Sequence, residues 1–220
     1  MNTSTKTLHI PRFEALDDNI TYNDIYALLE KHGVTQSIDR VNWADSFPYQ
    51  PSATFTAAHS GKNLYIDFCV QSCYLRAVNY ANQSSVSQDS CVEVFLQPQV
   101  DGAYWNFEFN CIGAINASHR YIRPNPTRLS AEELALIRRY PSCGITPFEE
   151  IKGSFLWHLL VVIPFSLMGI DNITPGTEIR GNFYECASAS SAPHFLSWNA
   201  INIPKPDFHR PDFFGTIIFE

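Results

Sequence analysis

The chain has 220 residues, of which 45% are hydrophobic and 17% are charged, so it contains enough apolar material for a large folded core. Lys and Arg number 15 against 22 Asp and Glu. The resulting net charge of −7 argues against a nucleic-acid partner, which normally requires a basic face on the protein. Phe and Tyr, with 16 and 10 copies, favour a β-rich fold.

The sequence shows neither an export signal nor a membrane span. Residues 1–10 contain one Lys and no apolar segment, so we expect no signal peptide and a cytoplasmic location, with secretion after loss of a leader as the open alternative. The longest apolar stretch, residues 155–170, is interrupted by His158, Pro164 and Ser166 and is too short to span a bilayer. We therefore expect no membrane partner.

The first predicted element is a helix over residues 23–32, ended by Gly33, within an N-terminal extension of residues 1–34. Alternating apolar and polar residues, bounded by turn residues, then predict four strands, at residues 53–58, 63–71, 90–97 and 104–112. Asp101 and Gly102 are typical of a tight turn between the last two of these strands, because Gly accepts a positive φ at no steric cost.

A second helix is predicted over residues 130–139, where Ser130 can cap the N-terminus and Glu133 completes a capping box. Four more strands are predicted at residues 155–163, 178–187, 194–199 and 215–219. Strands are many, helices are few, and no βαβ alternation appears. The pattern therefore predicts one domain over residues 1–220, an all-β antiparallel sandwich with two short helical insertions.

Four of the predicted strands have one apolar face and one mixed face, because successive residues of a strand point to opposite sides of the sheet. The mixed faces carry carboxylates, amides and a phenol, among them Glu93, Glu108, Asn110 and Tyr184. A solvated face is the simplest interpretation, since antiparallel sheets commonly leave one face in water. The lack of Lys and Arg at these positions also suits hydrogen bonds to sugar hydroxyls, and both interpretations stay open.

The six cysteines do not predict a metal site. Cys69 and Cys73 are the only close pair, and no second pair completes a zinc site, so we expect buried free thiols. Asp89 could coordinate calcium, but no neighbouring residues complete such a site in the sequence. We expect no cofactor.

Three segments carry a resemblance to a known family. They are QDSCVEVFLQP at residues 88–98, YWNFEFNCIGAI at residues 104–115 and FLSWNAINIPKPDFHRPDFFGTIIF at residues 195–219. The chain resembles the family 9 carbohydrate-binding modules over residues 35–220, and more closely their stand-alone family-9-like branch. The resemblance implies an immunoglobulin- or DOMON-like, jelly-roll-like β-sandwich. It also implies non-catalytic carbohydrate binding in polysaccharide catabolism.

The resemblance further implies which residues form the site. The sugar-binding glutamate of the family motif falls at Glu93, and a family Arg and Asn on the next strand fall at Glu108 and Asn110. A family Gln on a late strand falls at Tyr184. The resemblance therefore implies a site on the same mixed faces that the alternation of residues had indicated.

Sugar-binding members of the family hold a sugar between two tryptophans, and this chain departs from that arrangement. One tryptophan position falls at Val86, which implies that this wall is absent, and the other falls at Phe208. Trp198 could line the edge of the site or pack in the core. Arg76 could donate to vicinal hydroxyls or form a surface ion pair.

Three alternatives to a simple binding protein follow from the same residues. Glu93 and Glu108 could be the acid pair of a glycoside hydrolase, which needs about 5 to 9 Å between the carboxyl groups and contrasting environments. A haem-binding sandwich would depend on Met168. A scaffold with a vestigial site is favoured by Val86. The resemblance favours binding without hydrolysis, and we expect a carbohydrate partner.

Overall fold

The computed structural model describes residues 5–16 and 20–220, and this part of the chain forms two β-sheets and two α-helices. In chain order the elements are β1 (Thr7–Ile10), α1 (Tyr22–His32), β2 (Val34–Ser37), β3 (Arg40–Val41), β4 (Ser52–His59), β5 (Asn63–Ala77), β6 (Cys91–Gln97), β7 (Tyr104–Asn110), β8 (Ile115–Arg120), β9 (Thr127–Arg128), α2 (Ala131–Ala135), β10 (Arg138–Pro141), β11 (Phe148–Pro164), β12 (Glu178–Cys186), β13 (Phe195–Ser197) and β14 (Gly215–Phe219).

One sheet, called the pocket sheet below, has its strands in the order β1-β14-β12-β6-β7-β8-β9, with β13 beside β12 and β3 beside β13. The second sheet has the order β10-β11-β5-β4-β2. Neighbouring strands run antiparallel except β1 and β14, where Thr7 pairs with Thr216 in parallel register. The predicted antiparallel sandwich with two short helices is confirmed. Strand β1, within the N-terminal extension, was not predicted, and neither were the short strands β2, β3, β8 and β9.

The two sheets pack through large aromatic side chains. Phe55 of β4 stacks on Phe183 of β12, with ring centroids 3.7 Å apart, and Trp198 meets Phe183 edge-on at 5.9 Å. All three side chains are fully buried. Because residues alternate along β12, Phe183 points into this core while its neighbours Asn182 and Tyr184 point to the outer face of the pocket sheet.

Helix α1 covers the outer face of the second sheet. Its N-terminus is capped by Thr21, whose side-chain oxygen accepts from the Asp24 N–H at 3.3 Å. The buried residues Ile25 and Leu29 form the apolar stripe of α1 and belong to one cluster with Tyr65 of β5. No helix within the described ranges is long and apolar enough to cross a membrane.

The second helix is shorter than predicted. Its capping box forms as expected, since the Glu133 N–H donates to the Ser130 hydroxyl at 3.2 Å and the Ser130 N–H donates to the Glu133 carboxylate at 2.7 Å. The prediction that this helix continues to Arg139 is wrong, because α2 ends at Ala135 and Arg138 begins the edge strand β10. Pairing with β11 here outweighs the local helix propensity.

Two paired strands are longer than predicted. Strand β5 continues to Ala77 and β11 already begins at Phe148. The two strands pair along these extensions with irregular register between Phe148 and Ile151 and between Lys152 and Phe155. Such irregularities interrupt the alternation of apolar and polar residues, which explains why the extensions carry no clear strand pattern.

The outer face of the pocket sheet is covered, so the interpretation of its mixed face as a solvated surface is wrong. Asn106, Asn110 and Asn182 on this face are fully buried. The loop after β3 and the loop between β13 and β14 place Trp43 and Phe208 in one apolar cluster over the strands. Polar groups buried beneath such a cover require hydrogen-bond partners, which shape the site described next.

Candidate functional site

A pocket of about 510 Å³ opens on the outer face of the pocket sheet, over β6, β7 and β8. Side chains of these strands and of β12 form its floor. Residues 206–209 and Phe195 form one wall, and Arg120, Arg123 and Arg128 also line the pocket. The lining therefore combines carboxylates, guanidinium groups, amides, hydroxyls and aromatic rings.

Glu93 and Glu108 lie side by side on the pocket floor, because they are directly opposite each other in the register of β6 and β7. Both side chains are buried, with 2% and 6% of their surface exposed. The side-chain amides of Asn106 and Asn116 each donate to a different oxygen of the Glu108 carboxylate at 2.9 Å. Burial raises the pKa of Glu108, and the hydrogen bond from Asn116 opposes this shift.

Glu93 has a different environment from Glu108. Its Oε1 accepts from the thiol of Cys186 at 3.4 Å and from the thiol of Cys91 at 3.8 Å. Burial, followed by the neighbouring carboxylate of Glu108, raises the pKa of Glu93 well above its usual range. Glu93 therefore offers the pocket a carboxyl group whose proton is held tightly.

The aromatic wall of the pocket is formed by Phe208 and Phe195. Phe208 stacks on the buried Tyr184 of β12, which lies beneath it. Phe195 approaches Phe208 edge-on, with ring centroids 6.1 Å apart. The wall is thus backed by a second layer of rings that limits its movement.

His209 is the next residue of the same wall, and it lies 3.2 Å from the Tyr104 hydroxyl through its Nδ1. Burial, together with the guanidinium groups of Arg120 and Arg123, lowers the pKa of His209 to about 3. The imidazole is therefore neutral at physiological pH and contributes a neutral polar group to the pocket.

Three arginines of the pocket were missed by the sequence analysis, namely Arg120, Arg123 and Arg128. Arg123 forms an ion pair with Asp207, at 3.2 Å. The buried Nε of Arg120 has no hydrogen-bond partner within the described part of the chain. These residues lie between the predicted strand at residues 104–112 and the predicted helix at residues 130–139, in a stretch with two prolines for which no element was predicted. Arg120 lies four residues after Asn116 on β8, so the two side chains point to the same face of the sheet. This spacing could have placed Arg120 on the pocket face.

The segment between β13 and β14, which supplies the wall, is held to the pocket sheet at both ends. The Asn182 side chain donates to the Asn199 carbonyl at 2.9 Å and accepts from the Asn199 N–H at 2.8 Å. At the other end, Arg180 donates to the Phe214 carbonyl at 3.0 Å. The Asn199 side chain also donates to the Phe213 carbonyl at 2.8 Å, so it joins the two ends of the segment.

Two predicted site residues lie next to the pocket without lining it. Asn110 donates to the Asn79 carbonyl at 2.7 Å and to the Asp89 carboxylate at 3.0 Å, and it accepts from the Ala114 N–H at 3.0 Å. These bonds fix the connection from β7 to β8. Tyr184 is fully buried behind the aromatic wall.

Two further predicted residues lie away from the pocket. Trp198 is buried between the sheets, where its indole N–H donates to Gln36 at 3.3 Å. Arg76 of β5 forms an ion pair with Asp89 at 3.2 Å and a longer one with Glu149 at 3.8 Å. Asp89, which the sequence offered as a calcium ligand, is fully buried, and its charged neighbour is this guanidinium group.

Val86 stands at a family tryptophan position, and Met168 is the residue on which haem binding would depend. Both are buried apolar residues. Val86 is fully buried in the cluster that contains Trp43 and Phe208, so it contributes no aromatic wall to the pocket. Met168 is 5% exposed and belongs to the main core. Neither side chain reaches the pocket.

Solved structures with this fold include two kinds of relative. A candidate carbohydrate-binding protein from Bacteroides uniformis is 34% identical, with a TM-score of 0.91, and the match covers 99% of this chain and 100% of that one. A carbohydrate-binding module of family 9 from Caldicellulosiruptor kristjanssonii, solved with glucose, is 16% identical with a TM-score of 0.59 over 98% of this chain and 96% of that one. The same module solved with cellotriose gives the same identity and TM-score, with 98% and 94% covered.

A family model matches nearly the whole sandwich. The model of carbohydrate-binding family 9 matches residues 23–219, which include every strand from β2 to β14. No curated protein matches the chain significantly. The family match extends well beyond half of the chain, and the Bacteroides relative matches it over almost its whole length. The chain therefore belongs to carbohydrate-binding family 9.

Proposed function

We propose that the protein binds a carbohydrate in this pocket and does not cleave it. The observation that carries the proposal is that two buried carboxyl groups, those of Glu93 and Glu108, share one pocket with the aromatic wall of Phe208. Carboxylates and amides exchange hydrogen bonds with hydroxyl groups, and an aromatic ring packs against the apolar face of a sugar ring. The glucose and cellotriose complexes of the Caldicellulosiruptor module support the same class of ligand.

The charged groups of the pocket supply both acceptors and donors. Glu108 and Asp207 can accept hydrogen bonds from sugar hydroxyls, while Arg120 and Arg123 can donate to them or to a sugar carboxylate. A pocket with both kinds of group distinguishes sugars by the positions of their hydroxyls, because each mismatch leaves a polar group without a partner. We therefore expect selectivity for particular stereoisomers.

Ring stacking contributes less to ligand binding in this pocket than hydrogen bonding does. Phe208 is 8% exposed, so little of its ring surface is free to contact a ligand. Val86, at the second tryptophan position implied by the family resemblance, is buried and does not contact the pocket. We therefore propose recognition from the floor and one side rather than between two rings.

Hydrolysis is less well supported than binding. A glycosidase places its two carboxyl groups on different sides of the bond that is cleaved. Glu93 and Glu108 are neighbours on one floor, so both would approach a bound sugar from the same side.

A glycan array of neutral and uronic-acid-containing saccharides, followed by calorimetry on each hit, tests the proposal. We expect Glu108→Gln to weaken binding about tenfold or more, because it removes a direct contact of about 1.5 kcal/mol or more. Phe208→Ala should weaken binding by a smaller factor, because little of its ring surface is free to contact a ligand. Glu149→Gln is the matched control, since Glu149 is 89% exposed and does not line the pocket. Absence of binding across the array, or equal binding by all variants, would contradict the proposal. Chromatography of the incubated saccharides would detect cleavage.

A further inference from the structure

Two cysteines and a carboxylate converge at the pocket floor. Cys91 of β6 and Cys186 of β12 are directly opposite in the strand register, and Glu93 follows Cys91 on the same face of β6. One ligand atom from each of the three side chains lies within 4.8 Å of the other two. Because the residues are held by two central strands, their relative position is set by the sheet rather than by a loop.

The spacing of these atoms matches a tetrahedral metal centre. Zinc bonds of about 2.3 Å to sulfur and 2.0 Å to oxygen place a sulfur and an oxygen ligand about 3.5 Å apart. The Glu93 Oε1 lies 3.4 Å from the Cys186 sulfur and 3.8 Å from the Cys91 sulfur. An ion could therefore be accommodated with small side-chain movements.

The charge of this cluster points to the same conclusion. Glu93 is 2% exposed and has no Lys, Arg or His within 4.0 Å in the described part of the chain. Its Oε1 accepts from two thiols, which are weak donors. A buried carboxyl group normally has strong donors or an ionic partner, and a cation that replaces its proton would supply such a partner.

We propose that Cys91, Glu93 and Cys186 bind a thiophilic divalent cation such as Zn²⁺, with a fourth coordination position open to the pocket. Glu93 and Cys186 line the pocket, so an ion can enter from there and can hold a water or a ligand oxygen. On binding, the two thiols and the Glu93 carboxyl group lose their protons to solvent, so that two thiolates and one carboxylate hold the ion. Sulfur ligands favour zinc over calcium or magnesium.

The proposal does not depend on carbohydrate binding, and cobalt provides a direct test of it. Reduced, chelator-treated protein is titrated with Co²⁺ under anaerobic conditions, and thiolate-to-cobalt charge-transfer absorption is recorded. We expect one Co²⁺ per chain, displaced by Zn²⁺ but not by excess Ca²⁺. Cys91→Ser, Cys186→Ser and Glu93→Gln should each weaken binding, the cysteine variants by about 100-fold or more.

Cys143→Ser is the matched control, because Cys111 and Cys143 form the other neighbouring pair of thiols. Absorption that is lost in Cys143→Ser but kept in Cys91→Ser would overturn the proposal, as would the absence of a thiolate band in the reduced wild type. A second measurement does not require the variants to fold. Zn²⁺ should raise the melting temperature of the reduced wild type, and a chelator should reverse the shift. An unchanged melting temperature would also count against the site.

Discussion

The Phe208 ring lies flat against the Tyr184 ring, with centroids 4.2 Å apart and planes 11° apart. The Tyr184 hydroxyl also donates to the Phe208 carbonyl at 3.2 Å. A single buried residue of β12 therefore holds both the ring and the backbone of the pocket wall. Tyr184, which the family resemblance implied as a sugar contact, is placed to act as a positioning residue instead.

Replacing Tyr184 by Phe should loosen the wall while keeping the ring stack. We expect a loss of about 1 kcal/mol of unfolding free energy in urea, together with a several-fold loss of affinity for any saccharide that binds the wild type. Tyr65→Phe is the control, because the Tyr65 hydroxyl donates to the Leu16 carbonyl at 3.0 Å in the cluster beneath α1. An equal loss of saccharide affinity in both variants would contradict a specific role for Tyr184.

Arg123→Ala should separate ligand binding from stability. Its guanidinium group pairs with Asp207 but is 60% exposed, so we expect the unfolding free energy to change by less than about 1 kcal/mol. Saccharide affinity measured by calorimetry should nevertheless fall, because a pocket donor is removed. Arg210→Ala is the control. Arg210 pairs with Asp212 in the segment between β13 and β14 that also contains Asp207, but Arg210 does not line the pocket. Unchanged affinity in Arg123→Ala would exclude this donor.

His209 should make the fold less stable in acid. Its pKa is about 3 in the folded chain and near the ordinary 6.5 in the unfolded chain, so between these values the unfolded state binds the proton more strongly. Stability contributed by the neutral imidazole is therefore complete above about pH 6.5 and is lost as the pH falls towards 3. Urea unfolding from pH 4 to 8 should show this decline, and His209→Gln should reduce it. An identical slope in the variant would contradict the assignment.

Phe183→Ala should be the most destabilising of these substitutions. The Phe183 ring is fully buried between the sheets, where it stacks on Phe55 and meets Trp198. We expect a loss of about 3–5 kcal/mol in unfolding free energy, because the substitution leaves a cavity that the sheets cannot close. Chemical unfolding measures this loss, and a value below about 1 kcal/mol would show that the core readily repacks.

The alternation of residues was sufficient to predict the face on which the pocket forms. Glu93 and Glu108 were placed on one side of their strands because side-chain direction has a period of two. Their direct pairing could not be predicted, since it depends on the register of β6 and β7. The burial of Asn110 could not be predicted either, because distant segments of the chain cover this face.

The remaining differences arise where tertiary pairing determines local structure. Arg138 begins an edge strand because β11 offers a partner for it, although the preceding residues favour a helix. Arg120 and Arg123 reach the pocket from a stretch for which the sequence predicted neither a helix nor a strand. Cys91 and Cys186 are far apart in the sequence and meet through the pairing of β6 with β12. None of these contacts except that of Arg120 has a local pattern that would reveal it.

The attachment of the wall segment has a consequence for how such proteins can diversify. Asn182 and Arg180 of β12 hold the two ends of residues 199–214 through backbone carbonyls, and neither side chain lines the pocket. The ends of this segment are therefore held by contacts that do not depend on the identity of its central residues. Exchanging this segment between related chains would change the wall of the pocket while the pocket floor and the sandwich underneath are left unchanged.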